Sequence, residues 1–209
     1  MPFACVGHYN EYCMASALAD LIEILQLAYS GELAAAYAYR GHWKSVKDRA
    51  TKNKIREIEE EEWHHRRLAG QMLSELGSHP SRFREFKALL IGRTLGLLCH
   101  VMGWLLPMYG AGKLESRNVG EYERAARFAA ESGHYEFVEC LLTMAEIEWD
   151  HEKYFRACVE SHRLASKIPM WRFPAPKESI RSTFYCETGC FELSVPNDRK
   201  AFAYQPSGD

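Results

Sequence analysis

The stretch "EEEEWHHRRL", Glu59 to Leu68, carries two histidines almost directly after four glutamates, and its reading decides the fold. By composition it is an ordinary solvated helix face. The alternative is that one glutamate and one histidine turn inward and hold a metal. Helical periodicity separates the two. Glu62 and His65 share a face with Ile55, Ile58, Ala69 and Met72, which is an apolar stripe. Glu61 and His64 share theirs with Lys54, Glu57 and Gln71, a solvent-like set. The expectation is that Glu62 and His65 point inward, whereas Glu59, Glu60, Glu61 and His64 face water.

The same anomaly recurs elsewhere. A helical segment from about Ala15 to Trp43 presents Leu21, Leu25, Ala28, Glu32, Ala35 and Tyr39 on one face. The last long segment, about Tyr135 to Ser161, presents Phe137, Leu141, Met144, Glu148, His151, Phe155 and Cys158. Burying a carboxylate without a partner costs several kcal/mol, so each of these acids needs one. No Lys or Arg lies on any of the stripes, which leaves buried salt bridges without their cations. A Glu and a His three residues apart lie on one helix face about 5–6 Å apart at Cβ, close enough to chelate.

A fourth acid is expected from the segment at about Gly112 to Glu131, where Glu115, Glu121 and Glu123 are available. The apolar stripe there is Val119, Tyr122, Ala126 and Ala129. At about 100° per residue Glu115 falls in its middle, and Glu121 and Glu123 fall to either side. Level agrees: Glu32 precedes Glu62, and Glu115 precedes Glu148, by similar distances along the chain. Glu115 is preferred, with Glu121 and Glu123 the alternatives. Pro107 and the "GAG" at 110 to 112 threaten a late helix start. The set Glu32, Glu62, His65, Glu115, Glu148 and His151 is the inward-facing pattern of a dinuclear carboxylate bundle. Its oxygen-rich donors suit iron, with manganese the alternative.

The rest of the chain frames this site. Its 209 residues, 47% hydrophobic and 26% charged, are those of a globular domain with a sizeable core. A formal charge of −2 and the lack of a basic stripe exclude a nucleic-acid groove. "MPFACVGHYNEYC" has no basic start followed by an apolar core, so no secretory signal is expected. Seven scattered cysteines argue for a reducing cytoplasm, and those of "CETGC" read as unpaired tail thiols. A second helical segment runs from about Thr51 to Leu76, and "GSHPSR" breaks the pattern. "FKALLIGRTLGLLCHVMGWLLPMYG" is then apolar almost all round, which predicts a buried core helix or dimer interface, with peripheral membrane contact the second reading. Tyr37, Tyr39 and Trp43 read as packing rather than as an electron relay. After Lys167 prolines gather and periodicity fades. The predicted architecture is all-α: an antiparallel four-helix bundle over 1–165 with an extra apolar helix between the two helix pairs, and an irregular C-terminal tail over 166–209 packed on it.

These motifs resemble the ferritin-like superfamily. "GELAAAYAYRGHW" around Glu32, with "EEWHH" thirty residues later, resembles the first half of the demethoxyubiquinone hydroxylases. The apolar insert is similar in kind to their membrane-associating helix. "AAESGHYEFVECLLTMAEIEWDHEKYF" is closer to rubrerythrin, and on that register Tyr122 matches a tyrosine near the metals and Glu115 a ligand. The hydroxylase register favours Glu121 instead. The resemblance implies a di-iron oxidoreductase that uses O2 or peroxide, a small organic and quinone-like substrate, and an external electron donor. It also implies a homodimer, cytoplasmic or peripheral to the inner membrane. A rubrerythrin-like peroxide reductase or ferroxidase is the alternative, although the two Cys-x-x-Cys pairs of a rubredoxin-like donor are missing. A non-catalytic helical interaction protein is the third reading.

Overall fold

The computed structural model describes residues 4–189 together with Phe202 and Tyr204, and side chains from Tyr12 onward. Its helices are α1 (Ala4–Ser45), α2 (Arg49–Glu75), α3 (Arg82–Leu98), α4 (Leu105–Glu131), α5 (Tyr135–Glu160) and α6 (Lys177–Thr188), and there is no strand among the described residues. Local chemistry sets the boundaries. Asp48 caps α2 by accepting from the Thr51 amide at 2.8 Å, and Ser81 caps α3 from the Arg84 amide. The tight turn between α4 and α5 needs Gly133 at φ 80°, and the His134 amide closes it onto the Ala129 carbonyl at 2.7 Å. Pro107 does not delay α4. It is the third residue of that helix, within the first turn, where amides have no intrahelical partner to lose.

α1, α2, α4 and α5 form the bundle, with α1 packed on α2 and α4, and α5 on α4 and α2. Two apolar layers fill it. One holds Leu21 and Leu25 of α1, Met72 of α2, Ala126 of α4 and Leu141 of α5. The other holds Ala35 and Tyr39, Ile55 and Ile58, Met108, and Phe155 from the same four helices. On every helix the acid of the stripe falls between the residues of one layer and those of the other. The polar stratum is therefore enclosed above and below by apolar packing.

Of the two covers expected first for α3, a buried core and a dimer interface, the fold rules out the core. The helix buries Ala88, Gly92 and Gly96 and turns Phe83, Phe86, Leu90, Ile91 and Leu97 outward. The small residues let two backbones touch: a Cβ on Gly41 of α1 would lie 2.2 Å from the Gly96 carbonyl oxygen, and one on Gly92 2.5 Å from that of Ala34. Periodicity could not find this, because the face that packs is the one with the smallest side chains. Gly41→Ala should destabilise the fold by about 1–3 kcal/mol through overpacking, or roughly 5 °C in Tm. A melting curve coincident with wild type would rule out this close approach.

Over 166–189 the tail is more ordered than its composition suggests. α6 packs Ile180 and Phe184 into the bundle, and Trp171 lies against Gly112, donating from Nε1 to Glu152 at 2.7 Å. Cys13, Cys99, Cys140, Cys158 and Cys186 are free thiols, whereas Cys190 and the side chain of Cys5 lie outside the described residues.

Candidate metal centre

The six residues expected from periodicity converge. Glu32, Glu62, His65 and Glu148 form one group and Glu62, Glu115, Glu148 and His151 a second, with one ligating atom from each within 4.8 Å of the others in its group. Glu62 and Glu148 belong to both, which is the arrangement two adjacent cations would require of bridging carboxylates. All six side chains are buried. Glu121 and Glu123 are half-buried and outside both groups, as their phase on α4 dictates.

Hydrogen bonds orient the donors. Glu148 lies 2.9 Å from His65 Nδ1, and His151 Nε2 lies 2.6 Å from Glu61. Tyr39 donates its hydroxyl to Glu115, which also accepts from Asn118 Nδ2 at 2.9 Å. Tyr122 donates to Glu32 and packs edge-on against His65. Asn118 escaped the sequence reading, although its place three residues after Glu115 on one face was the available signal.

Part of the opening reading is corrected here. Glu60 is exposed as expected, but Glu59 and His64 are buried and Glu61 is half-buried. Glu59 accepts from Arg40 at 2.8 Å, Trp43 Nε1 at 2.6 Å and Trp63 Nε1 at 3.2 Å. His64 lies 3.1 Å from Arg67 and is covered by the ring of Tyr204 at 4.8 Å. The reason is geometric: α2 is flanked by α1, α5 and the C-terminal segment, so more than one stripe is covered. Solvent-like neighbours in sequence do not reveal a polar group buried against another helix.

The electrostatics fit a site for cations. Burial, then the neighbouring Glu62, holds Glu32 well above the ordinary carboxylate range. Burial and Glu148 do the same to Glu115. Burial opposes ionisation of Glu148, yet the imidazole of His151, 3.5 Å from its Oε2, and the hydrogen bond with His65 hold it below that range. Burial disfavours a charged His151, but Glu148, 3.5 Å from its Nδ1, Glu61, hydrogen-bonded to its Nε2, and Glu62, also 3.5 Å from Nδ1, raise it above the usual imidazole value. Six ligand-set atoms are buried without a hydrogen bond: Glu32 Oε2, both oxygens of Glu62, His65 Nε2, Glu148 Oε2 and His151 Nδ1. Buried polar atoms are nearly always satisfied, so this concentration fits ligation. Two divalent cations would balance the charge of the four carboxylates.

Helical bundle, buried stratum and doubled Glu-x-x-His pattern together define an enzyme of the ferritin-like di-iron carboxylate class. Residues 19–122 match the family model for ubiquinone biosynthesis protein COQ7, a family of di-iron hydroxylases. The match runs from residue 19 within α1 through Tyr122 of α4, and so includes Glu32, Glu62, His65 and Glu115. Comparisons with curated proteins and with solved structures gave no significant match.

Proposed function

We propose that the chain hydroxylates a quinone-like aromatic ring, using O2 and two electrons from an external donor. Glu32, Glu62, His65, Glu115, Glu148 and His151 would hold two iron ions, which supply the electrons that reduce O2. Overall, one oxygen atom enters a ring C–H bond and the other leaves as water, with two protons taken up. The observation that carries this reading is a cavity of about 450 Å³ between α1, α3 and α4. Its walls are mostly apolar, including Ala35, Leu95, Leu106 and Leu114, and they include Tyr39, whose hydroxyl is bonded to Glu115. An apolar ring held there is one side chain away from the carboxylates.

Within the bundle, Tyr39 and Tyr122 fix Glu115 and Glu32 and keep a proton at each phenolic oxygen. Burial, with Glu32 and Glu148 nearby, raises the Tyr122 phenol well above its ordinary value, so it stays protonated and can act as the catalytic tyrosine of the site. Residues 1–165 would form the catalytic unit and 166–209 its cover. The outward apolar side of α3, interrupted by Lys87, suits a membrane surface holding an apolar substrate, with a homodimer the competing cover for the same side.

The test is turnover of anaerobically iron-loaded protein with a chemical reductant, 18O2 and a methoxylated benzoquinol. The expected product is the ring-hydroxylated compound carrying one 18O atom. Peroxide consumption with no labelled product would instead favour the peroxide reductase.

A further inference from the structure

His42 stands apart from the metal ligands and has no evident structural reason to be polar. It is 2% exposed, and its Nε2 is buried without a hydrogen-bond partner. Its ring stacks on Phe155, with centroids 6.2 Å apart and planes 15° from parallel, and Phe155 in turn stacks on Tyr39. An apolar ring would satisfy that stacking equally well. Leaving the nitrogen unpaired costs about 1–3 kcal/mol, a penalty a phenylalanine would avoid. Burial also pushes the imidazole down to about 4, so the ring is neutral at physiological pH.

The position of His42 supplies the reason. It lines the apolar cavity described above, and it also lines the adjoining cavity of about 290 Å³ that contains Asp48, His100 and Trp104. Tyr39, the other ring-bearing polar residue of the first cavity, is already committed to Glu115. Among the residues of α1 that line the first cavity, His42 thus keeps an uncommitted polar side-chain atom. We infer that His42 is a positioning residue: its ring lines the cavity, and a turn of the imidazole brings Nε2, closed to water in this structure, to hydrogen-bond a ring oxygen of the substrate and so set which edge of that ring faces Glu115. The inference rests on the reading of that cavity as the substrate site. A neutral imidazole nitrogen suits both forms of such a ring, since it donates to a carbonyl when protonated and accepts from a phenol when not.

The test separates the two claims. Equilibrium dialysis of the metal-free full-length chain would compare tetramethyl-1,4-benzoquinone with 1,2,4,5-tetramethylbenzene, which has similar bulk and no oxygens. His42→Phe, which keeps a ring on Phe155, should weaken the quinone roughly tenfold and leave the hydrocarbon unchanged. His42→Gln, which retains a donor and an acceptor, should restore most of the quinone binding. Unchanged quinone binding in His42→Phe would overturn the role of His42 and leave the cavity reading standing. The double variant Gly110→Trp/Leu95→Trp puts bulk on two walls, and a Cβ at Gly110 meets nothing within 4 Å. Loss of both ligands in that variant is expected. Retention of both would overturn the cavity reading, and the inference with it. In the iron-loaded enzyme, His42→Phe should raise KM and scatter the position of hydroxylation.

Discussion

Glu148→Ala should empty the centre of both metals. Glu148 and Glu62 are common to the two ligand groups, so removing either carboxylate takes a donor from each cation at once. Glu32 and His65 belong to one group only, and Glu115 and His151 to the other. Anaerobic Fe(II) loading, desalting and mass spectrometry should therefore give about two irons per chain in the wild type. Glu148→Ala and Glu62→Ala should retain almost none, with turnover lost. Glu32→Ala and Glu115→Ala should each keep roughly one, and Glu121→Gln should match the wild type. Equal losses in Glu115→Ala and Glu148→Ala would contradict the bridging assignment. Loss in Glu121→Gln alone would move the ligand to the register of the hydroxylase resemblance.

The second large effect is on stability and runs with pH. Without metal, Glu32 and Glu115 take up protons on folding, because burial raises both carboxyls. Their contribution is fully present below the ordinary carboxylate value and is lost as pH rises through the raised ones. His151 is also raised, so its contribution is lost in the same direction. Glu148, held low, contributes above the ordinary carboxylate value and weakens only in acid. From about pH 5 upward the metal-free protein should therefore become less stable. Each proton held only by the folded state accounts for about 1.4 kcal/mol per pH unit, roughly 3–6 °C for a chain of this size. Metal binds the ionised carboxylates, so the loaded protein should lack this slope. Thermal melts of both forms at pH 6, 7 and 8 should show the gap widening with pH. A constant gap would mean that the carboxylates are already ionised in the empty bundle.

The sequence revealed the stratum better than its surroundings. Glu32, Glu62, His65, Glu115, Glu148 and His151 each interrupt an apolar stripe, and a 3.6-residue period is enough to see a polar residue where a leucine belongs. Glu59 and His64 escaped because they lie beside a stripe rather than in it, and much of their cover comes from Arg40, Trp43 and Tyr204, which no local pattern connects to them. The core reading of α3 failed for the opposite reason. Its large apolar residues drew attention, but Ala88, Gly92 and Gly96 are the ones that pack. Composition reports how greasy a helix is and leaves open which side of it is used. His42 shows a third limit: a lone histidine on a bundle helix has no signature until the space around it is known.

The backbone contact between α1 and α3 fixes more than the seating of one helix. Leu95 and Cys99 lie close to Gly96 in sequence and help line the apolar cavity, as do Tyr39 and His42, close to Gly41. Helices touching at glycine have no side-chain cushion to compress, so the spacing between them is set by main-chain atoms. The α1–α3 side of the cavity thus keeps one spacing. On the proposed reading, exchanging side chains along that side would change what a bound ring touches and leave the distance between the two main chains as it is.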